Sequence, residues 1–170
     1  MSAVVKEAAP ADAERWVGLK ALLDRETHLM LLEPNERDTD VAIVQAQLER
    51  TSASSNSVVL VAEDNDQLVG YVELEGGPFQ RNRGTATLVI GVLESASGRG
   101  LGTRLLGEAE RWARAHGLHR LELTVMEHND RAAALYQRMG YEIEGRRREC
   151  LLVDGRLIDE FYMAKLLADL

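Results

Sequence analysis

Residues 58–62 read Val-Val-Leu-Val-Ala, an unbroken apolar run rich in β-branched side chains. Such a run suits a strand buried on both faces. Asp64, Asn65 and Asp66 turn the chain into residues 68–75, where Leu68, Gly70, Val72 and Leu74 alternate with Val69, Tyr71, Glu73 and Glu75. Two β-patterned runs across a short polar turn predict a hairpin. After a connection marked by Gly76, Gly77, Pro78 and Gly84, residues 85–92 resume the β-rich pattern. Upstream, Val4 and Val5 open a short strand, and Pro10 with Asp12 starts a helix through Trp16, Leu19, Leu22 and Leu23. A loop over residues 31–37 follows. Asp38 or Thr39 is placed to cap a second helix carrying Val41, Val44 and Leu48, which the polar stretch 52–56 ends.

The second half of the chain alternates helix and strand. Leu101, Leu105, Ala109, Trp112 and Ala113 mark one helical face up to a stop at His116 and Gly117. Leu121, Leu123 and Val125 then alternate with Glu122, Thr124 and Met126 as a strand. Asn129 or Asp130 caps a short helix through Ala133, Leu135, Tyr136 and Met139, ended by Gly140. Two more strands meet at the turn Val153-Asp154-Gly155-Arg156. No repeat, low-complexity tract or linker interrupts the pattern. One α/β domain over residues 1–170 is therefore expected, with a mixed, mostly antiparallel sheet of about seven strands and about four helices on its two faces.

Charge and cysteine content narrow the function. The formal net charge is -8 and the isoelectric point is near 5.1, which gives no general attraction to nucleic acid or to an anionic membrane. Nor does any apolar run approach membrane-spanning length. The start of the chain lacks the basic and apolar regions of a signal peptide. Cys150 is the lone cysteine, so an intrachain disulfide and a cysteine metal cluster are both excluded. A soluble, cytoplasmic protein is expected. His28, His116, His119 and His128 show no metal-ligand spacing, and no metal site is expected.

The most informative segment is the turn Ser97-Gly98-Arg99-Gly100-Leu101-Gly102-Thr103, between a β-rich run and an amphipathic helix. A helix start carries unpaired N–H groups and the positive end of the helix dipole, and glycine lets a phosphate approach the backbone. Spacing excludes two common phosphate ligands. No lysine lies between Lys20 and Lys165, so the turn is not a nucleoside-triphosphate loop. The dinucleotide pattern G-x-G-x-x-G is unmatched, and no βαβ unit precedes the turn.

Residues 92–106, VLESASGRGLGTRLL, resemble the pyrophosphate motif of the GCN5-related N-acetyltransferases. The family pattern [Q/R]-x-x-G-x-[G/A] falls on Ser97, Gly100 and Gly102, with Ser97 departing from the usual Gln or Arg. A second segment, from Val125 through Asn129, Ala132, Tyr136 and Gly140 to Tyr141, resembles the family's V-x-x-x-N-x-x-A-x-x-x-Y-x-x-x-G-[F/Y] pattern. The final strands resemble a bacterial subgroup in which some members acylate free amino acids or related small amines.

The resemblance implies acetyl-coenzyme A as donor and a small-molecule amine as acceptor, with no metal and with a homodimer allowed. It implies that Ile90, Gly91 and Val92 hold the thioester and pantetheine, and that Gly98, Arg99, Gly100, Leu101, Gly102 and Thr103 hold the pyrophosphate. Asn129 reaches the pantetheine arm, and Tyr136 protonates the leaving thiolate. A phenol suits that task because it stays protonated at neutral pH yet hydrogen-bonds sulfur. Asn129 also reads as a helix cap and Tyr136 as a core aromatic. The implied mechanism is direct attack in a ternary complex, with Cys150 a buried strand residue and no nucleophile. Glu33, Glu73, Glu75, Glu127 or a water relay is left as the base. Thr124 stands where enzymes acting on ribosomal-protein N-termini carry a glutamate. Arg146, Arg147 and Arg148 read as a solvated strand end or as a contact for an acidic substrate group. The rival readings are a non-catalytic acyl-coenzyme A binding module and an acetyltransferase for protein lysines or N-termini.

Overall fold

The computed structural model describes residues 3–167. Seven strands form one sheet in the order β1-β2-β3-β4-β5-β7-β6. They are β1 (Val4–Glu7), β2 (Val58–Asp64), β3 (Gln67–Gly76), β4 (Thr85–Val92), β5 (Arg120–Met126), β6 (Glu142–Val153) and β7 (Arg156–Leu166). Helices α1 (Ala13–Glu26) and α2 (Val41–Ser52) precede β2, while α3 (Leu101–Ala115) and α4 (Asp130–Arg138) flank β5 in the chain.

The alternation seen in the sequence becomes a division between two cores. Leu60, Val72, Leu74, Leu88, Leu121, Leu123 and Val125 pack beneath α3, where Leu105, Leu106, Ala109 and Ala113 are fully buried. Trp16, Leu19, Leu23, Val44 and Leu48 of α1 and α2 cover the opposite face through Val59, Val61 and Tyr71. Burying one leucine of this kind contributes roughly 1.5–3 kcal/mol, so both helical layers hold the sheet firmly. The β2–β3 hairpin turns on Asn65 and Asp66, both at positive φ, which asparagine and aspartate tolerate better than other side chains.

Two local expectations need correction. The cap of α2 is Asp40, whose side chain accepts from Ala42 N at 2.9 Å. Asp38 instead accepts from Asp40 N and shapes the approach to the helix. Cys150 is only half-buried, because β6 loses register with β7 between Arg147 and Leu151. The bulge turns its thiol toward the Ile158 carbonyl and the Glu160 carboxylate.

Five of the six strand pairings are antiparallel, and the exception positions the site. β4 and β5 run parallel and pair only at Thr85–Arg120, Ala86–Leu121 and Thr87–Glu122. Beyond these residues the strands diverge, while β4 stays paired to β3 as far as Val92 and β5 to β7 as far as Met126. Two strand edges therefore face each other across a gap in mid-sheet.

Candidate active site

The gap is the floor of a cleft of about 680 Å³. Leu88, Val89, Ile90, Gly91 and Val92 line one wall, and Thr124, Val125 and Met126 the other. A strand edge carries N–H and C=O groups that need partners. The facing edges thus offer an extended ligand the backbone pairing they do not give each other. Gly91 serves a second purpose, since a β-carbon there would stand 2.7 Å from Leu23 Cδ1 and 2.9 Å from Tyr71 Cε1. Its lack of a side chain lets α1 and Tyr71 pack directly under the cleft wall.

At the end of β4 the chain passes through one short 3-10 turn, Glu94–Ala96, into the glycine turn. Ser97, Gly98, Gly100, Leu101, Gly102 and Thr103 all line the cleft. Gly98 and Gly100 take φ values of 75° and 77°, the left-handed region that glycine enters without steric cost. Gly100 caps α3 and makes no side-chain bond to the first-turn donors. The start of α3 thus presents backbone N–H groups of the kind that suit an anion. Arg99, expected among the anion contacts, is exposed and does not line the cleft. The cations that do line it are Arg131 and Arg138 of α4.

Asn129 and Tyr136 close the cleft from α4. The Asn129 side chain accepts from Ala132 N at 3.1 Å, capping the helix while lining the cleft. The cap read from the sequence is present, and the same residue lies on the cleft wall. Tyr136 is buried, lines the cleft, and packs against Tyr141 with ring centroids 5.9 Å apart. Burial pushes its phenol up to about 12, because loss of water disfavours the phenolate.

None of Glu33, Glu73, Glu75 and Glu127 lines the cleft. Glu73 lies against α1 and α2, accepting from Gln47 Nε2 at 3.2 Å, and burial raises its pKa. Glu127 is paired with Arg146 at 2.9 Å, and Glu33 and Glu75 are exposed. The carboxylates that line the cleft are Glu26, Glu94 and Glu160, of which only Glu160 is buried. His128 is exposed and outside the lining. The arginine run is more than a solvated strand end. Arg146 bonds Asp159 and Glu127, and Arg147 bonds Glu160 at 2.7 Å.

Sequence reasoning also missed Leu29, Met30 and Leu31 of the α1–α2 connection, which line the cleft. A loop has no period to betray which face it covers. The available signal for Glu160 was an acidic pair, Asp159 and Glu160, inside a strand that is otherwise largely apolar.

A mixed sheet is thus split at its one parallel pair, with a glycine-started helix at the split and an asparagine-capped helix closing it. Residues 17–141 match the model of the acetyltransferase (GNAT) family, and the chain belongs to that family. It is 30% identical over 116 residues to an acetyltransferase of Pectobacterium atrosepticum, covering 68% of this chain and 77% of that one. A GNAT-family acetyltransferase from Streptococcus pneumoniae is 31% identical with a TM-score of 0.93, over 98% of this chain and 99% of that one. The ribosomal-protein-alanine N-acetyltransferase of Brucella melitensis is 27% identical with a TM-score of 0.83, over 96% and 99%. The Salmonella typhimurium protein yncA, solved with acetyl-coenzyme A, shares the fold at 22% identity and a TM-score of 0.87, over 99% and 96%. The chain is thus an acetyltransferase by family. Among the described residues, no helix is long and apolar enough to cross a membrane.

Proposed function

We propose that the chain, as one domain over residues 1–170 acting in the cytoplasm, transfers the acetyl group of acetyl-coenzyme A to a primary amine of a small molecule. The observation that carries this reading is the continuity of the cleft. Open strand edges, a helix start without a side-chain cap and a buried phenol line one space.

The donor fits that space by chemistry. Pyrophosphate meets the N–H groups of Leu101, Gly102 and Thr103, with Arg131 and Arg138 adding positive charge. The pantetheine amides complete the strand edge at Ile90, Gly91 and Val92, in the manner of an added strand. Asn129 spends its side-chain oxygen on the helix cap, which leaves its amide nitrogen to donate to a pantetheine carbonyl. The acetyl group then lies toward the point of divergence, between Val89 and Thr124.

In the ternary complex the acceptor ammonium first loses a proton, to a carboxylate or a water relay. Its nitrogen lone pair attacks the thioester carbon, the nitrogen then sheds its second proton as the carbon–sulfur bond breaks, and the sulfur leaves as a thiolate that takes up a proton in turn. Tyr136 donates a hydrogen bond to that sulfur as its charge develops. A phenol near 12 is a weaker acid than an ordinary thiol of about 8.5. Its main contribution is therefore stabilisation of developing charge, with the proton following as the thiol is released. Cys150 is bonded within the β6 bulge, outside the cleft lining, and forms no acyl intermediate.

The test is thiol release from acetyl-coenzyme A across a panel of amines, with the acetylated product identified by mass. Release that depends on an added amine supports the reading. Thermal stabilisation by acetyl-coenzyme A with no release for any amine overturns it in favour of a binding module.

A further inference from the structure

The cleft passes through the sheet, so its two mouths differ in chemistry. On the α3–α4 side it is lined by the glycine turn, Asn129, Arg131, Arg138 and Tyr136. On the α1–α2 side it is lined by Leu29, Met30, Leu31, Thr124, Met126 and Glu160. Register fixes the face of the last three. Met126 pairs with Glu160 and Thr124 with Tyr162, and paired residues share a face, opposite Leu123 and Val125 beneath α3. Met30 packs against the core of α1 and α2, which places its loop over the same mouth.

Among the described residues lining the cleft, the cations are Arg131 and Arg138, both on the α4 side. The α1–α2 mouth has one buried charge, Glu160, and an exposed carboxylate, Glu26, at the end of α1. Its Oε2 accepts from Arg147 Nη1 at 2.7 Å and lies 3.6 Å from Cys150 Sγ. No described residue bonds Oε1, so one oxygen remains for a ligand. Arg147 is itself held, with its guanidinium 5.6 Å from the Tyr162 ring centroid and bonded to Glu160. It does not line the cleft.

We infer that this mouth selects a primary amine on an uncharged apolar body, with the ammonium on Glu160, the hydrocarbon against Leu29, Met30 and Leu31, and no lining cation for a carboxylate beside the amine. The inference deepens the proposed amine acetylation and rests on it for the order of events. The mouth's chemistry stands on the lining residues alone. An acceptor ammonium on Oε1 shares the carboxylate with Arg147, which holds Oε2, whereas an α-amino acid also brings a carboxylate toward Glu160, where no cationic side chain lines the mouth to receive it. An alkylamine and the free end of a peptide both present the favoured chemistry.

Calorimetric titration of the coenzyme-A-bound chain separates these cases with three matched ligands: 3-methylbutylamine, leucinamide and leucine. The expected result is binding of 3-methylbutylamine and leucinamide at least tenfold tighter than leucine. Tighter binding of leucinamide than of 3-methylbutylamine supports the same mouth serving a peptide end, and the reverse order supports a small amine. Glu160→Gln should weaken amine binding at least tenfold while coenzyme A affinity holds. Leu31→Ser, at an exposed position, should weaken 3-methylbutylamine severalfold but methylamine little. Leucine binding as well as the amine, unchanged binding in Glu160→Gln, or no binding of any of the three overturns the inference. Selective amine binding without acetylation overturns the transfer reading and leaves the subsite standing.

Discussion

Arg37 reaches back from the α1–α2 connection to make two hydrogen bonds with Asp24 of α1, from Nε to Oδ2 at 2.6 Å and from Nη2 to Oδ1 at 2.8 Å. Asp24 is almost fully buried there, so the pair fastens the connection that carries Leu29, Met30 and Leu31 to the cleft. Removing one partner of a buried pair strands the other charge, at about 3–5 kcal/mol. Arg37→Met should show a loss of that size in denaturant unfolding. It should also raise KM for the amine more than KM for acetyl-coenzyme A, since the glycine turn is built on other elements.

At Gly100 the backbone conformation alone sets the requirement. A β-carbon there meets nothing within 4 Å, yet φ is 77°. Left-handed backbone costs an ordinary L residue roughly 1–2 kcal/mol, while asparagine tolerates it better. Gly100→Ala should lower acetyl-coenzyme A affinity severalfold by titration, and Gly100→Asn should lower it less. Equal losses in the two variants would point to crowding by the side chain instead.

Tyr136→Phe removes the proposed hydrogen bond to sulfur and keeps the ring in its buried place. Groups of this type contribute about 10²–10⁴-fold to rate, so kcat should fall within that range while acetyl-coenzyme A affinity changes little. Because burial holds the phenol near 12, it stays protonated below about pH 11. Any alkaline fall in wild-type rate below that pH should therefore persist unshifted in the variant's profile.

Lys20 lies 3.4 Å from the Trp16 ring centroid, and burial lowers its pKa to about 8 from 10.5. Between those values the unfolded chain binds more protons at this site than the folded one, so the site's contribution to stability rises with pH across that window. The shift corresponds to at most about 3 kcal/mol. The unfolding free energy of wild type minus that of Lys20→Met should increase between pH 7.5 and 10.5. A flat difference would show that the ring's attraction for the cation has offset desolvation.

What the sequence made legible was local. The hairpin, the amphipathic α3, the asparagine cap of α4 and the positive-φ turn at Gly100 each follow from side chains within a few positions of one another. The features it hid depend on distant pairing. Glu160 enters the cleft because β7 inserts between β5 and β6, which sets it beside Met126, 34 positions earlier. Glu73 was a reasonable candidate base by residue type, but alternation along β3 turns it to the α1–α2 layer, away from the cleft lining. Arg99 has the charge for a phosphate contact but is exposed and outside the cleft lining, whereas α4 brings Arg131 and Arg138 into that lining.

Direct transfer is tested by a single turnover, with the protein in excess over acetyl-coenzyme A labelled in its acetyl group. After a quench, protein and small molecules are separated and the label is traced. Direct attack in a ternary complex predicts thiol release only when amine is present, with the label on the amine and none on the protein. Thiol release without amine, with the label on Cys150 or any other residue, would contradict the account.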